Sequence, residues 1–111
     1  MSFQDLEKLD QRNIIQGLKY IYQSGMLDEK EIKKRIGVKL KDLAGVINGF
    51  PFIEDAKGSN GALAINNCLN EVCNDIKFSA LDWDEWFTVS HTSMQESYDR
   101  WKNNSKASET R

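Results

Sequence analysis

Acidic side chains and tryptophans lie close together in the C-terminal third of the sequence. Residues 71–99 hold seven acids and one base, Lys77, for a formal charge of −6 when His91 is neutral. Carboxylates on one surface steer a cationic partner by long-range attraction, and tryptophan is enriched among the residues that contribute most to binding. We therefore predict a binding site for a cationic partner, with Glu71 and Asp75 as charges at its rim. Its central contact residues are Asp82, Asp84, Glu85 and Trp86.

The aromatic residues of this segment also have a second interpretation. Trp83, Trp86 and Phe87 follow the i, i+3, i+4 spacing of a buried helix face, so they could belong to the core. An exposed tryptophan among them would anchor an interface, whereas a buried one would only hold the fold. The sequence leaves open which of the indoles point outward.

A basic segment precedes the acidic one. Residues 30–41 hold six basic residues and one acid, for a formal charge of +5. With Gly37 at a turn between two short helices, the segment 31–48 resembles a helix-turn-helix unit. In that alternative interpretation the protein binds DNA, and the charges that neutralise phosphates are Lys33, Lys34, Lys39 and Lys41.

The second helix of this unit is poorly suited to reading bases. Its outward positions carry Asp42 and small residues, with no Arg, Gln or Asn before Asn48 to bond base edges. A helical hairpin with a solvated basic face is therefore the competing interpretation of the basic segment.

Residues that could support catalysis or bind a metal are sparse. The single histidine, His91, has no other histidine with which to build a metal site, and Cys68 and Cys73 lack a second ligand pair at zinc spacing. On one helix these cysteines are too far apart for a disulfide, which predicts reduced, core-facing thiols. The glycines around Ser59 lack the lysine and the spacing of a phosphate-binding loop. We expect neither enzymatic activity, nor a cofactor, nor a bound metal.

The elements that position these residues are predicted to be helices. Apolar residues recur at helical spacing along most of the 111-residue chain, which predicts an all-α single domain over 1–111, a bundle of about five helices. A short β-hairpin near 76–89 is the open alternative, and the polar tail from about 103 is expected to be disordered. The predicted helices cover 4–24, 28–36, 39–48 and 61–77, the second of them capped by Asp28. A short helix capped by Ser79 and a last helix through Trp101 follow.

Composition narrows the classes of protein that remain. The net charge of −2 argues against a generally basic nucleic-acid binder but permits a local basic face. No apolar run approaches the roughly 18 residues that span a bilayer, and the N-terminus lacks the pattern of a signal peptide. The expectation is a cytoplasmic protein without membrane contact.

In its size, its charge layout and the 82–87 cluster, the chain resembles the immunity proteins of bacterial toxin–immunity pairs, such as those of contact-dependent growth inhibition or colicin systems. The resemblance implies tight binding to a cognate protein toxin, often a nuclease domain, and protection of the producing cell. The inhibitor would occupy the basic active-site cleft or bind beside it and exclude substrate. A DNA-binding regulator using the basic segment, an adaptor subunit and a homodimer stay open as alternatives.

Overall fold

Helices account for the regular structure. A computed structural model describes the backbone of residues 3–109 and the side chains of residues 3–103, and this part is all-α, as predicted. A 3-10 turn, Phe3–Asp5, comes first. The α-helices that follow are α1 (Lys8–Gln23), α2 (Glu29–Glu31), α3 (Leu40–Gly49), α4 (Asn60–Asn70), α5 (Ala80–Trp86) and α6 (His91–Glu109). Two of them, α2 and α4, continue directly into π-helical turns, Ile32–Ile36 and Glu71–Asp75.

Short polar side chains set the starts of α2, α4 and α5. The Asp28 carboxylate accepts from the backbone N–H of Glu31 at 2.8 Å, which confirms the predicted cap of α2. The hydroxyl groups of Ser59 and Ser79 accept in the same way from the third residue after them, at 3.1 Å each. Each bond satisfies an N–H group that has no partner inside its helix and is worth about 1 kcal/mol.

The core lies where α1 packs against α4 and α6. Gly17 allows the close approach of α1 to α4, because a Cβ at this position would lie 3.0 Å from a methyl carbon of Leu69. Each large apolar side chain buried there contributes roughly 1.5–3 kcal/mol relative to its exposure to water. The centre of the core is formed by Phe3, Ile14, Leu18, Ile21, Ile65, Leu69 and Met94, all fully buried.

The segment 76–89 is helical at its centre, so the alternative of a β-hairpin is wrong. Ser79 caps α5, and the helix then places Trp83 and Phe87 one turn apart against the core. Their ring centroids are 4.3 Å apart. In a strand the two residues would lie too far apart along the chain for their rings to make this contact. Helical burial of both rings therefore outweighs the β propensity of the aromatic residues.

The last helix continues beyond the point where the polar tail was expected to begin. Its backbone is helical to Glu109. The expectation of a disordered tail from about 103 falls mainly on residues 104–111. The side chains of these residues lie outside the described part of the chain, as does the backbone of residues 110 and 111.

Candidate functional site

The outward side of α5 carries three exposed carboxylates and an exposed leucine. Leu81 is 83% exposed, and Asp84 and Glu85 follow it at i+3 and i+4, so all three are neighbours on one helix face. Asp82 is also exposed and stands three residues before Glu85. We call the set Leu81, Asp82, Asp84, Glu85 and Trp86 the α5 face.

Trp86 lies at the edge of this face, with part of its indole on the core and part accessible. Its ring centroid is 5.2 Å from that of the buried Tyr20, in an edge-to-face arrangement with an interplanar angle of 82°. Burial raises the pKa of Tyr20, the Ser24 side chain opposes the rise, and the negative charge of Asp82 adds to it. Trp86 is thus held in one orientation while still presenting apolar surface beside an acid.

The other tryptophans belong to the core. Trp83 is 8% exposed and donates its indole N–H to the carbonyl oxygen of Val89 at 2.7 Å. Trp101 is 5% exposed and donates to the Asp55 carboxylate at 2.8 Å. Because both indoles are sealed and hydrogen-bonded, Trp86 is the tryptophan that can contact a partner.

Glu71, predicted as a rim charge, is instead buried, and that prediction is wrong. Its carboxylate is 2.7 Å from the Arg35 guanidinium, across the contact between the two π-helical turns. Burial raises the pKa of Glu71 and the neighbouring Asp75 raises it further, whereas Arg35 opposes the rise. Burial of a carboxylate is tolerated here because a cation pairs with it, so this acid is not available to a partner.

Asp75, the other predicted rim charge, is exposed on the turn after α4. Its carboxylate accepts from the Asn70 amide at 3.4 Å, and it stands close to Glu71 rather than on α5. The structure therefore brings four of the predicted residues together on the α5 face, Asp82, Asp84, Glu85 and Trp86.

Leu81 is the member of the α5 face that the sequence analysis missed. Its signal was present in the sequence, since a helix that starts after Ser79 places Leu81 on the side opposite Trp83 and next to Asp84 and Glu85. An apolar side chain in the middle of a charged helix face gains nothing from folding. Together with the accessible part of the Trp86 indole, it gives the α5 face its apolar surface.

The basic segment forms a separate groove between the start of α2 and the start of α3. The groove has a volume of about 330 Å³ and is lined by Lys30, Lys33, Lys39, Lys41, Glu29 and Leu40. Three of the four lysines predicted for phosphate contact are therefore gathered, whereas Lys34 is exposed outside the groove. Arg35, from the same segment, points inward to Glu71.

The remaining reactive side chains, two cysteines and one histidine, make contacts that belong to the fold. Cys68 and Cys73 are free and buried, as predicted, and burial raises the pKa of Cys73 to about 11. His91 is 2.8 Å from the carbonyl oxygen of Cys73, and its ring lies 5.1 Å from that of Trp83. The thiols of Cys68 and Cys73 therefore stay protonated and unreactive near neutral pH.

Two features are absent from the part of the chain that the structure describes. No group of three or more His, Cys, Asp or Glu side chains is arranged there to hold a metal ion. No helix within residues 3–109 is both long enough and apolar enough to cross a bilayer. Comparison with protein-family models, curated proteins and solved structures finds no match to this chain.

Proposed function

We propose that this protein is an immunity protein that binds and neutralises a cognate bacterial toxin through the α5 face. The observation that carries the proposal is the group of three exposed carboxylates on α5 beside the exposed Leu81, with the half-buried Trp86 at its edge. Such a surface combines attraction for a cationic protein with apolar area that a partner can cover.

The α5 face is held rigid by the aromatic cluster beneath it. Phe78 contacts Trp83 with ring centroids 5.2 Å apart and Phe87 at 5.7 Å, and Tyr20 contacts Phe78 at 5.1 Å. A short helix seated on such a cluster loses little conformational freedom on binding, so more of the contact energy remains as affinity. The face is therefore prepared for tight binding without rearrangement.

The toxin that best fits this surface is a nuclease. A nuclease needs a basic cleft for its phosphate substrate, and the carboxylates of α5 would occupy that cleft or bind at its border. The charges raise the association rate, and burial of Leu81 and Trp86 slows dissociation. Such an inhibitor acts in the cytoplasm of the producing cell and protects that cell from the toxin. It needs no cofactor.

Sequence-specific duplex DNA binding is the second candidate, because Lys33, Lys39 and Lys41 share one groove. The outward positions of α3 weaken it. Asp42 and Gly45 stand where base-reading amides or guanidinium groups would be required. A regulator built this way would hold phosphates but distinguish few sequences.

The test uses the product of the open reading frame next to this gene. We expect that product to arrest growth when expressed alone and to bind this protein, which restores growth. The triple variant Asp82→Asn/Asp84→Asn/Glu85→Gln should slow association about tenfold or more at low salt. The variants Leu81→Ala and Trp86→Ala should instead speed dissociation.

A matched control removes the same number of exposed acids from other elements, with Glu7→Gln/Glu54→Gln/Glu96→Gln. This control should leave the association rate within about twofold of the wild type, because its charges lie off the α5 face. The proposal is rejected if the neighbouring product is harmless and does not bind. It is also rejected if the α5 triple variant and the control bind alike.

A further inference from the structure

The lysine groove and the exposed ring of Phe52 form a second surface whose chemistry differs from that of α5. We propose that this surface binds single-stranded nucleic acid without strong sequence preference. The proposal does not depend on the toxin-inhibitor function, since no residue of the α5 face takes part in it.

The groove carries an excess of positive charge. The lysines at positions 30, 33, 39 and 41 form no ion pair with any described residue, and Glu29 is the only acid lining the groove. Four like charges around a cavity of about 330 Å³ repel each other. Phosphate groups lying along the groove would relieve that repulsion and release their counterions.

A neighbouring groove supplies an aromatic platform. It shares Lys41 with the first groove, has a volume of about 450 Å³, and carries Phe52, whose side chain is 78% exposed. Every base has a flat face, so stacking on an exposed phenylalanine is tolerant of sequence.

The chain on either side of Phe52 is anchored, which fixes the position of the exposed ring. Ile53 is buried, and the Phe50 ring packs edge-to-face on Phe3 with centroids 6.2 Å apart. The Gln4 side chain donates to the carbonyl oxygen of Pro51 at 2.6 Å. A large apolar ring held outward in this way is ready to stack on a ligand.

The arrangement favours a single strand over a duplex. Only unpaired bases can leave the stack and lie on Phe52. Asp42 and Glu54 line the Phe52 groove, where they would repel phosphate but accept hydrogen bonds from base amino groups. Phosphates therefore belong on the lysine groove and bases on the Phe52 groove.

The experiment measures fluorescence anisotropy of a labelled 12-nucleotide DNA strand of mixed sequence titrated with the full chain. We expect saturable binding at 50 mM salt that is tighter than binding of the matching duplex. With four lysines in contact, the slope of log affinity against log salt should be about −3. Lys33→Gln/Lys39→Gln should reduce the slope to about half, and Phe52→Ala should weaken binding about tenfold without changing the slope.

The matched control, Lys8→Gln/Lys19→Gln, removes two exposed lysines of α1 and should bind like the wild type. Thermal unfolding by circular dichroism verifies that each variant is folded. The proposal is overturned by absence of binding at 50 mM salt, by equal or tighter binding of the duplex, or by equal losses in the groove and control variants. Displacement of the strand by an equal charge concentration of polyglutamate would also overturn it, since this would show an acidic protein segment to be an equally good ligand.

Discussion

A nitrogen of the Arg35 guanidinium lies 2.7 Å from a carboxylate oxygen of Glu71, and this pair joins the π-helical turn after α2 to the one after α4. Arg35 is 41% exposed at its side chain, whereas Glu71 is 6% exposed. Burial raises the pKa of Glu71 and Asp75 adds to the rise, whereas Arg35 opposes it, so Arg35 is the group that favours the charged form of this interior carboxylate. This ion pair therefore joins one base of the basic segment, 30–41, to one acid of the acidic segment, 71–99.

The Arg35→Met variant should be destabilised in a pH-dependent manner. At pH 7 we expect a loss of about 2 kcal/mol in the free energy of unfolding, because a buried carboxylate loses its charged partner. Without Arg35 the pKa of Glu71 rises further above its unfolded value, so the folded form binds the proton more tightly. The loss should therefore be small below about pH 4.3 and grow as the pH rises through the folded pKa. Urea unfolding between pH 4 and pH 7 measures this dependence.

The conservative control for this pair is Glu71→Gln, which removes the charge that must be buried. In the Glu71→Gln background, Arg35→Met should cost less than in the wild type, and its extra cost should no longer vary with pH. A cost of Arg35→Met that is equal in both backgrounds would show that the two side chains are not coupled.

The helices and their caps could be predicted from the sequence because they depend on neighbours within a few residues. Apolar spacing and the caps at Asp28 and Ser79 placed α2 and α5 correctly. The pairing of Arg35 with Glu71 could not be predicted in this way, since it joins residues that only the packing of two helices brings together. The formal charges of 30–41 and 71–99 therefore include two groups that form an ion pair with each other, and one of them, Glu71, is buried.

The buried Asp10 carboxylate should make stability fall in acid. It accepts two bonds from Arg100, both 2.8 Å long, and one from the Ser97 hydroxyl at 2.7 Å. The Arg100 bonds hold the pKa of Asp10 below its ordinary value, against the effect of burial. Because the folded pKa is lower than the unfolded one, this contribution is present above about pH 4 and is lost as the pH falls. Asp10→Asn should therefore cost about 2 kcal/mol at pH 7 and less near pH 3, measured by urea unfolding.

The surface pair of Asp99 and Lys102 is the control for the Asp10 prediction. Its charged atoms are 3.5 Å apart and both side chains are about half exposed, so Asp99→Asn should change stability by less than about 0.5 kcal/mol. If the difference between wild type and Asp10→Asn were the same at pH 3 and pH 7, the carboxylate would not be the source of the acid sensitivity.

Two glycines should respond to alanine with opposite signs. At Gly61 a Cβ would collide with the backbone carbonyl oxygen of Glu54, and at Gly45 it would meet no atom within 4 Å. Gly61→Ala should destabilise the protein by about 3 kcal/mol, since backbone has to move. Gly45→Ala, inside α3, should stabilise it by up to about 1 kcal/mol through the higher helix propensity of alanine. Urea midpoints measured side by side test the pair: stabilisation by Gly61→Ala would contradict the packing at Gly61, and destabilisation by Gly45→Ala would contradict the open space at Gly45.

The two sides of α5 should differ sharply in their contribution to stability. Trp83 is sealed in the aromatic cluster and hydrogen-bonded to Val89, so Trp83→Ala should cost about 3–5 kcal/mol. A domain of this size is stable by about 5–15 kcal/mol in total, and this single change would remove a large share of it. Leu81→Ala deletes a side chain that is 83% exposed and should change stability by no more than about 0.5 kcal/mol. Urea unfolding followed by circular dichroism measures both, and a loss above about 1 kcal/mol for Leu81→Ala would mean that this leucine supports the fold and is not free to be covered by a partner.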